Sequence, residues 1–382
     1  MSTTGRSEAA DAVADLATDL ASAGFVRVLA RADGDALAAA GVLGRALSTL
    51  EVPFQVGVAP TAADRRRRAD AATDADDATT VLIGATPGAD ATELPEAGRP
   101  ASAAAAALVG EVGVEPAPEL ARAGVVAAGA DPDAVAVHGE VDFERDPGLA
   151  VPTDDLVDGL AHATLARGPF SGDRTAAADL VAAVEAADDP DEETRRRLAS
   201  AVAVEASGDA AAAGADGGVD RLLRPRRTPA APFETLGGYA DVLGATAATA
   251  PGLGVALALG HDVRADALSA WREHGRGVHA ALDDARTSRY DGVFVAQTSG
   301  APPVRATAEL LVRTDSPEPT ALVLGDGEAG VAGTGDVDLR EPIRAAASAV
   351  DGAADAAPTR GYLAYGTDAD VTQLLSAFRE AL

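Results

Sequence analysis

Two carboxylates, Asp33 and Asp35, stand close together where a sheet protein is expected to bind a ligand. They follow the apolar run Phe25–Ala30, which is typical of a buried strand, and they precede an Ala- and Leu-rich segment that predicts a helix. In open α/β sheets, ligands bind beyond the carboxyl ends of the strands. Because paired carboxylates suit divalent cations that prefer oxygen ligands, these residues predict a metal site.

The elements that must position this pair alternate along the first half of the chain. Small apolar and acidic residues at helical spacing predict a first helix over Ser7–Ala23, and strand-like runs follow at Val26–Ala30, Phe54–Val58 and Thr80–Gly84. Leu120–Gly129 is apolar and predicts a further buried helix. Strands that alternate with helices favour a mostly parallel sheet covered on both faces.

The composition indicates adaptation to concentrated salt and does not identify a binding partner. The 382 residues carry a net charge of −29, and lysine is absent, so all 31 basic residues are arginine. Such a surface is typical of proteins that stay soluble in concentrated salt, and it carries no argument for or against a nucleic-acid partner. The run Arg65–Arg68 has two interpretations, a phosphate contact and an internally paired solvated face, and the second is favoured.

Several classes of site and location are excluded or disfavoured by absent residues. The chain has no cysteine, which excludes disulfides and thiolate metal sites. The N-terminus lacks the basic start and apolar core of a signal peptide, and no apolar run approaches the roughly 20 residues of a membrane span. We therefore expect a cytoplasmic protein without a membrane partner.

The length favours more than one domain. We predict a first domain over residues 1–206, a linker rich in Gly, Ala and Asp over residues 207–230, and a second domain over residues 231–382. The second domain should begin with helices over Leu236–Leu282 and continue as an α/β unit. Its predicted strands lie near Tyr290–Thr298, Ala306–Arg313, Thr320–Leu324 and Arg360–Gly366, and its predicted helices at Leu339–Val350 and Val371–Leu382.

The five histidines suggest no separate site. His138, His162, His261, His274 and His279 fall in predicted helices or loops, and only the last two lie near each other in sequence. Histidines without ligand-like spacing are mostly surface residues or core residues with satisfied hydrogen bonds. We interpret all five in that way.

The segment from Arg31 to Ala36 resembles the first motif of the DHH phosphoesterase superfamily, His-x-Asp-x-Asp followed by small residues. Gly129-Ala130-Asp131 resembles the fourth motif, an aspartate after an apolar helix. The resemblance implies a RecJ-like α/β protein of two domains, a DHH-type parallel-sheet domain and a smaller DHH-associated α/β domain. In active members, these motifs bind two Mn²⁺ ions that activate water to hydrolyse a phosphodiester.

The chain departs from this pattern at the positions that should bind the metal most specifically. Arg31 replaces the first-motif histidine, Gly84 stands where the second-motif aspartate is expected, and Glu93–Gly98 contains no histidine pair. The resemblance thus leaves Asp33, Asp35 and Asp131 as a vestigial metal set, with no cofactor expected and weakly bound Mn²⁺ or Mg²⁺ if any. The alternative interpretation of the first two aspartates is helix capping beside a turn.

The C-terminal domain resembles the DHH-associated domain, which grips single strands in RecJ-like nucleases. The expected Gly-Gly-His signature is replaced by Asp351-Gly352-Ala353 and an Ala/Asp insertion, without the histidine. By this resemblance, Arg360, Tyr362 and Tyr365 are candidates to contact phosphate and stack on bases, together with Arg31 in a groove between the domains. The alternative, given equal weight, is that the two tyrosines pack a strand.

The resemblance implies a catalytically degenerate protein of archaeal DNA replication or repair. In this hypothesis the chain binds single-stranded DNA or RNA or acts as a scaffold. Because archaeal RecJ-like proteins partner GINS and the replicative helicase, these are the implied protein partners. Two alternatives stay open: a residual Mn²⁺-dependent exonuclease or phosphoesterase, and a structural partner that does not touch nucleic acid.

Overall fold

The computed structural model describes residues 3–71, 78–139, 141, 143–145, 147–184, 191–206, 222, 223, 225–228, 231–334 and 337–382. The chain divides into two compact units. The first unit holds Met1–Phe143, Ala230–Pro232 and Val242–Leu268, and the second holds Glu144–Pro229, Phe233–Asp241 and Ser269–Leu382. Most of the predicted linker, residues 207–230, lies outside the described residues, and the predicted domain boundaries stay a prediction.

The first unit contains the predicted parallel sheet. Its strands are β1 (Phe25–Arg31), β2 (Phe54–Ala59), β3 (Ala78–Ile83) and β4 (Thr92–Glu93), paired in parallel in the order β2-β1-β3-β4. The helices in the N-terminal segment of this unit are α1 (Thr3–Ser22), α2 (Gly34–Thr49), α3 (Ala62–Asp70), α4 (Ala101–Glu111) and α5 (Pro118–Ala127). Strand β1 lies in the interior of the sheet, so its carboxyl end opens onto the loops that carry the predicted site.

Helix α2 is the centre of the first unit. Nearly every residue from Gly34 to Leu47 is buried, against the sheet, α4 and α5. Small residues permit this burial because helices with short side chains approach closely. A Cβ atom on Gly41 would lie 2.6 Å from the Cβ of Ala258, so only glycine fits there. The segment that follows the two aspartates is therefore fixed on all sides.

The described residues in the middle of the chain form helices and two short strands, and the helices between Leu236 and Leu282 were predicted. The two strands are β5 (Glu144–Arg145) and β6 (Arg226–Arg227), which pair antiparallel. The helices are α6 (Leu156–His162), α7 (Arg174–Ala183), α8 (Glu192–Ala206), α9 (Leu236–Thr249), α10 (Pro251–Leu259) and α11 (Arg264–Asp284). Within the described residues, no helix has both the length and the apolar character to cross a membrane.

A six-stranded mixed sheet forms the C-terminal part of the second unit. The strands are β7 (Arg286–Tyr290), β8 (Val293–Gln297), β9 (Thr320–Leu324), β10 (Glu328–Gly333), β11 (Ala353–Ala356) and β12 (Arg360–Ala364). Their order is β11-β12-β10-β9-β8-β7, with β8 and β9 parallel and the other pairs antiparallel. Helix α12 (Val304–Thr314) packs on one face, while the core cluster on the other face includes α13 (Arg340–Ala349) and α14 (Val371–Ala381).

The predicted strand at Ala306–Arg313 is wrong, because this segment lies inside helix α12. Buried Val304, Thr307 and Leu311 recur every three or four residues, and charged Glu309 and Arg313 lie one helical turn apart. The segment is short and rich in Ala, Leu and Val, so its helical period is not evident in the sequence. Its composition favours neither helix nor strand. The Ala/Asp insertion, for which no strand was predicted, forms the edge strand β11.

Candidate functional site

The strand-end cluster comprises Arg31, Asp33, Asp35, Gly84 and Glu96. Arg31 ends β1, Gly84 directly follows β3, and the two aspartates stand at the start of α2. Because β1 and β3 are parallel neighbours, their carboxyl ends deliver these residues to one edge of the sheet. The cluster therefore lies where the sequence placed the metal site.

Asp33 is the N-cap residue of α2. Its backbone is extended (φ −143°, ψ 167°), and its Oδ1 accepts a hydrogen bond of 2.9 Å from the N–H of Ala36. Its other carboxylate oxygen pairs with Nε of Arg31. Both oxygens of Asp33 thus have partners within the protein.

Asp35 caps a different helix from its own. It is 2% exposed, and its carboxylate accepts bonds from the N–H of Ala101 (2.8 Å) and from the N–H and hydroxyl of Ser102 (2.9 and 2.6 Å). These groups belong to the first turn of α4, whose own N-cap residue, Pro100, makes no side-chain cap bond. Asp35 therefore supplies from α2 the acceptor that α4 lacks, and its negative charge suits a helix N-terminus.

Arg31 and Gly84 fit each other sterically. Arg31 is 8% exposed, and Gly84 has a φ of +95°. A Cβ atom on Gly84 would lie 3.2 Å from the Cβ of Arg31 and 3.3 Å from its Nη1. The guanidinium thus occupies space that any side chain at position 84 would need, so the two departures from the DHH pattern form one arrangement.

Glu96 is a member of the cluster that the sequence analysis missed. Burial raises the pKa of its carboxyl, Arg31 acts against that rise, and the charges of Asp35 and Asp33 add to it. The N–H of Gly84 donates a hydrogen bond to its carboxylate. The sequence offers only the presence of an acidic residue within Glu93–Gly98, where the DHH pattern has histidines.

A buried arginine holds the loop that carries Gly84. Arg65 is 0% exposed, and it donates from Nε to the hydroxyl of Thr86 (3.0 Å) and from Nη2 to the carbonyl of Ala85 (2.9 Å). The Thr86 hydroxyl donates in turn to the carbonyl of Gly84 (3.0 Å). The favoured prediction of a solvated face is therefore wrong for the first arginine of the run, whereas Arg67 does pair with Asp64.

The residues present do not fit the pair of Mn²⁺ ions that the resemblance implies. Asp33 and Asp35 use their oxygens on an arginine and on helix N–H groups, and a guanidinium lies beside them. Asp131 is exposed and accepts a bond of 3.0 Å from the N–H of Asp133, as in an Asx turn. Throughout the part of the chain that the structure describes, no three histidine or carboxylate side chains form a group that could hold a metal ion.

The predicted nucleic-acid residues of the C-terminal domain divide between the two faces of its sheet. Tyr362 packs against the α12 side, with Cζ of Arg305 lying 4.8 Å from its ring centroid and its hydroxyl donating to Glu328 (3.0 Å). Arg360, two residues earlier on the same strand face, lies 3.9 Å from a carboxylate oxygen of Glu309 on α12. We call Arg305, Glu309, Arg360 and Tyr362 the arginine–tyrosine face.

Tyr365 belongs to the opposite side. It packs against the core cluster formed by α13 and α14, and its hydroxyl lies 2.9 Å from the carbonyl of Gly325 and 3.0 Å from that of Glu328. Burial raises the pKa of this phenol to about 12. The structure therefore does not bring Tyr365 together with Tyr362. The contacts of Tyr365 are those expected of a tyrosine that packs a strand.

A second polar group, the helical histidine cluster, lies in the second unit. It comprises Asp158 and His162 of α6, Asp241 of α9, and Trp271, His274 and His279 of α11, all at most 7% exposed. His162 and Trp271 meet edge to face, with ring centroids 5.7 Å apart. The sequence interpretation allowed surface or core positions for these histidines, and the structure places all three in the core. Their proximity was not predicted.

His274 and His279 are the neutral members of this cluster. Burial lowers the pKa of each to about 4. Nε2 of His279 lies 3.0 Å from the carbonyl of Ala163, an arrangement that assigns the ring proton to Nε2. Nδ1 of each ring has no hydrogen-bond partner among the described residues.

The two aspartates of the cluster have opposite environments. Burial alone would raise the pKa of Asp158, but hydrogen bonds from His162 and Arg272 and the charge of Arg272 outweigh it, so this pKa is lowered. Asp241 accepts hydrogen bonds from Thr164 and from Nε1 of Trp271 (2.7 Å), which are neutral donors. Burial therefore prevails and raises the pKa of Asp241.

Known structures define the fold. The crystal structure of CDC45 from Entamoeba histolytica matches with a TM-score of 0.61 and 8% sequence identity, over 97% of this chain and 98% of that one. RecJ from Thermus thermophilus, crystallised with Mn²⁺, matches with a TM-score of 0.46 and 14% identity, over 97% of this chain and 54% of RecJ. The chain spans about half the length of that RecJ. The match to CDC45 shows the fold, and the predicted α/β architecture with a parallel sheet and a separate C-terminal sheet is confirmed.

Sequence relatives define the family within this fold. The "Uncharacterized protein rrnAC1427" of Haloarcula marismortui is 42% identical over 388 residues, with all of both chains covered. The family model described as the C-terminal domain of that protein matches residues 285–380. The chain belongs to the rrnAC1427 family.

Proposed function

We propose that this protein is a non-catalytic member of the DHH fold that binds single-stranded nucleic acid. The observation that carries the non-catalytic part is the contact between Arg31 and Gly84. The guanidinium pairs with Asp33 and fills the space above a glycine that has no ligand to offer. Because Asp35 is engaged by α4, the strand-end cluster is neutralised by protein groups in place of metal ions.

The binding part is supported by the arginine–tyrosine face and by the sequence resemblance of this domain to one that grips single strands. Arg305 covers the ring of Tyr362, so a base stacks on the outer side of the guanidinium plane or against the ring edge. Arg360 lies beside the same ring and offers a phosphate contact. Tyr365, which lies in the core packing, is not part of this binding surface. Partnership with GINS or the replicative helicase follows from the resemblance alone and is proposed only on that basis.

Binding is tested with fluorescein-labelled single-stranded DNA and RNA of about 20 nucleotides, by anisotropy over a range of KCl concentrations. We expect saturable binding that Tyr362→Leu weakens about tenfold, because stacking on an aromatic contributes roughly 1–3 kcal/mol per base. Tyr290→Leu is the matched control, since Tyr290 lies on the same sheet under another guanidinium, that of Arg379 (4.3 Å). Failure to bind either strand at low salt would overturn the proposal in favour of a purely structural role.

Catalysis is tested separately, by incubating the labelled strands with MnCl₂ at high salt. We expect no degradation and no retained manganese after purification. Mn²⁺-dependent cleavage that Asp33→Ala abolishes would contradict the non-catalytic part and establish the residual exonuclease. In the anisotropy titrations described above, the strand that binds more tightly, DNA or RNA, identifies the preferred nucleic acid.

A further inference from the structure

Glu309 is the carboxylate of the arginine–tyrosine face that lies between two guanidinium groups. Its oxygens lie 4.0 Å from Nη2 of Arg313, on the same helix, and 3.9 Å from Nη1 of Arg360, on strand β12. Both distances exceed the length of a hydrogen bond, and no described residue donates one to this carboxylate. The side chain is 30% exposed, so Glu309 keeps its acceptor capacity at a surface that solvent reaches.

The position of Glu309 on its helix places it beside the stacking surface. It follows Arg305 by four residues on α12, and side chains at this spacing lie on one face of a helix, with Cβ atoms about 5–6 Å apart. Arg305 covers the ring of Tyr362 and is partly exposed. A base that stacks on the outer side of the Arg305 guanidinium therefore has one edge near the carboxylate of Glu309.

A carboxylate weakens a surface that binds phosphates, because like charges repel. It has a use there when it selects the base. Among the common bases, only guanine has two adjacent donors, N1–H and the N2 amino group, on its Watson–Crick edge. Adenine and cytosine have an amino donor beside a ring-nitrogen acceptor, and thymine and uracil have one N–H between two carbonyl oxygens. Two parallel hydrogen bonds to one carboxylate therefore require guanine.

We infer that this surface binds the single strand at guanine. The base stacks on Arg305, and its N1–H and N2 amino group donate to the two oxygens of Glu309. The guanidinium groups of Arg313 and Arg360 flank the carboxylate and offset its repulsion of the neighbouring phosphates. The inference rests on the proposed function and deepens it, because it names the base that the arginine–tyrosine face selects.

The test compares strands that differ only in the base. The probes are fluorescein-labelled thymidine strands of about 20 nucleotides that carry a few isolated guanines, inosines or adenines, or none, prepared as DNA and, with uridine, as RNA. Inosine keeps N1–H but lacks the N2 amino group. We expect the guanine strand to bind about tenfold more tightly than the adenine and plain strands, with the inosine strand between them. Equal affinity for all strands overturns the inference and leaves single-strand binding standing, whereas no binding by any strand overturns both.

Glu309→Gln tests the residue itself. Its amide has one acceptor oxygen and places an amino group against a guanine donor, so the guanine preference should fall to about twofold. The plain strand should gain about twofold in affinity, because a negative charge is lost beside the phosphates. Glu341→Gln is the matched control, since it removes the same charge from an exposed position on α13, and it should keep the tenfold preference.

Two further outcomes would contradict the inference. A tenfold guanine preference that survives Glu309→Gln overturns the assigned contact. Displacement of the labelled strand by micromolar guanosine monophosphate overturns the single strand as the ligand, because the surface would then take a free guanine nucleotide.

Discussion

The strand-end cluster and the helical histidine cluster are both buried and polar, yet they neutralise charge in different ways. In the strand-end cluster, carboxylates accept hydrogen bonds from backbone N–H groups and pair with one guanidinium. These charged groups hold the first turns of α2 and α4 in place. In the helical cluster, two histidines are kept neutral by burial, and their ring nitrogens Nδ1 lack hydrogen bonds among the described residues.

This difference shows that a sequence motif and a spatial cluster of titratable groups indicate different properties of a protein, and that one can occur without the other. The first cluster is contiguous in sequence and resembles a metal site, but its groups are committed to architecture. The second is dispersed over three helices and resembles nothing, but it holds the most strongly displaced histidines. We therefore expect the first to respond to mutation and the second to respond to pH.

The largest expected effect is the loss of stability in acid, which comes from the helical histidine cluster. A histidine whose folded pKa lies near 4 stays neutral when folded, while its unfolded form takes up a proton near pH 6.5. The contribution of each histidine to the free energy of unfolding is therefore fully present above pH 6.5. It is lost as the pH drops to about 4, which lowers the free energy of unfolding by about 3 kcal/mol for each histidine. Guanidinium unfolding at pH 7 and pH 4.5 measures the loss.

His279→Gln tests the origin of that loss. The amide keeps a donor for the carbonyl of Ala163 but does not titrate, so we expect about half of the acid effect to disappear. An unchanged pH dependence in this variant and in His274→Gln would show that carboxylates cause it, and would remove the proposed contrast between the clusters.

The next effect belongs to the strand-end cluster. Asp35→Ala leaves the N–H groups of Ala101 and Ser102 buried without their acceptor and should lower the free energy of unfolding by about 3 kcal/mol. Asp131→Ala is the matched control, since that aspartate is exposed and makes a local turn bond, and its cost should stay below about 1 kcal/mol. Equal costs would mean that Asp35 does not hold α4.

A smaller effect tests the steric fit of Arg31 and Gly84. Gly84→Ala places a Cβ against Arg31 at a positive φ and should cost about 1–2 kcal/mol. Arg31→Ala removes the guanidinium and Cδ but keeps the Cβ at 3.2 Å, so the same glycine substitution should cost about 0.5 kcal/mol less in that background. A double-mutant cycle by urea unfolding measures this coupling, and strictly additive costs would contradict the fit.

The smallest effect concerns Glu96. Its raised pKa means that the folded protein binds a proton more readily there than the unfolded chain, so this residue adds stability as pH falls and subtracts from it near neutrality. Glu96→Gln keeps an acceptor for the N–H of Gly84, and we expect a slightly higher denaturation midpoint at pH 7. A lower midpoint would show that the charge of Glu96 is needed by Arg31.

The sequence predicted most of the architecture, because period and composition are local properties. The strands β1, β2 and β3 lie within two residues of their predicted positions, and a helix follows the two aspartates as predicted. The α/β fold that the short motif implied is confirmed by the match to CDC45. The failures share a cause. Segment 306–313 is too short and too apolar for its period to show, so only its packing on the sheet decides that it is helical.

The candidate site was predictable in location but not in its contacts. That Asp35 caps α4 and that Arg31 covers Gly84 depends on distances between segments far apart in sequence, to which no pattern refers. The helical histidine cluster was missed for the same reason, since spacing along the chain says little about helices that pack across one another. Glu96 stands in a segment where the DHH pattern expects histidines, and a single acidic residue there is no signal by itself.

The bond from Asp35 to the start of α4 has a consequence for how such chains are sorted. Folding alone requires an aspartate at this position, whether or not an ion is ever bound, because the proline-led helix cannot cap itself. A signature search keyed to Asp33-Gly34-Asp35 would consequently gather hydrolases and non-hydrolases together. The informative columns for telling them apart are positions 31 and 84, where this chain has a guanidinium paired with Asp33 and a glycine in place of the expected metal ligands.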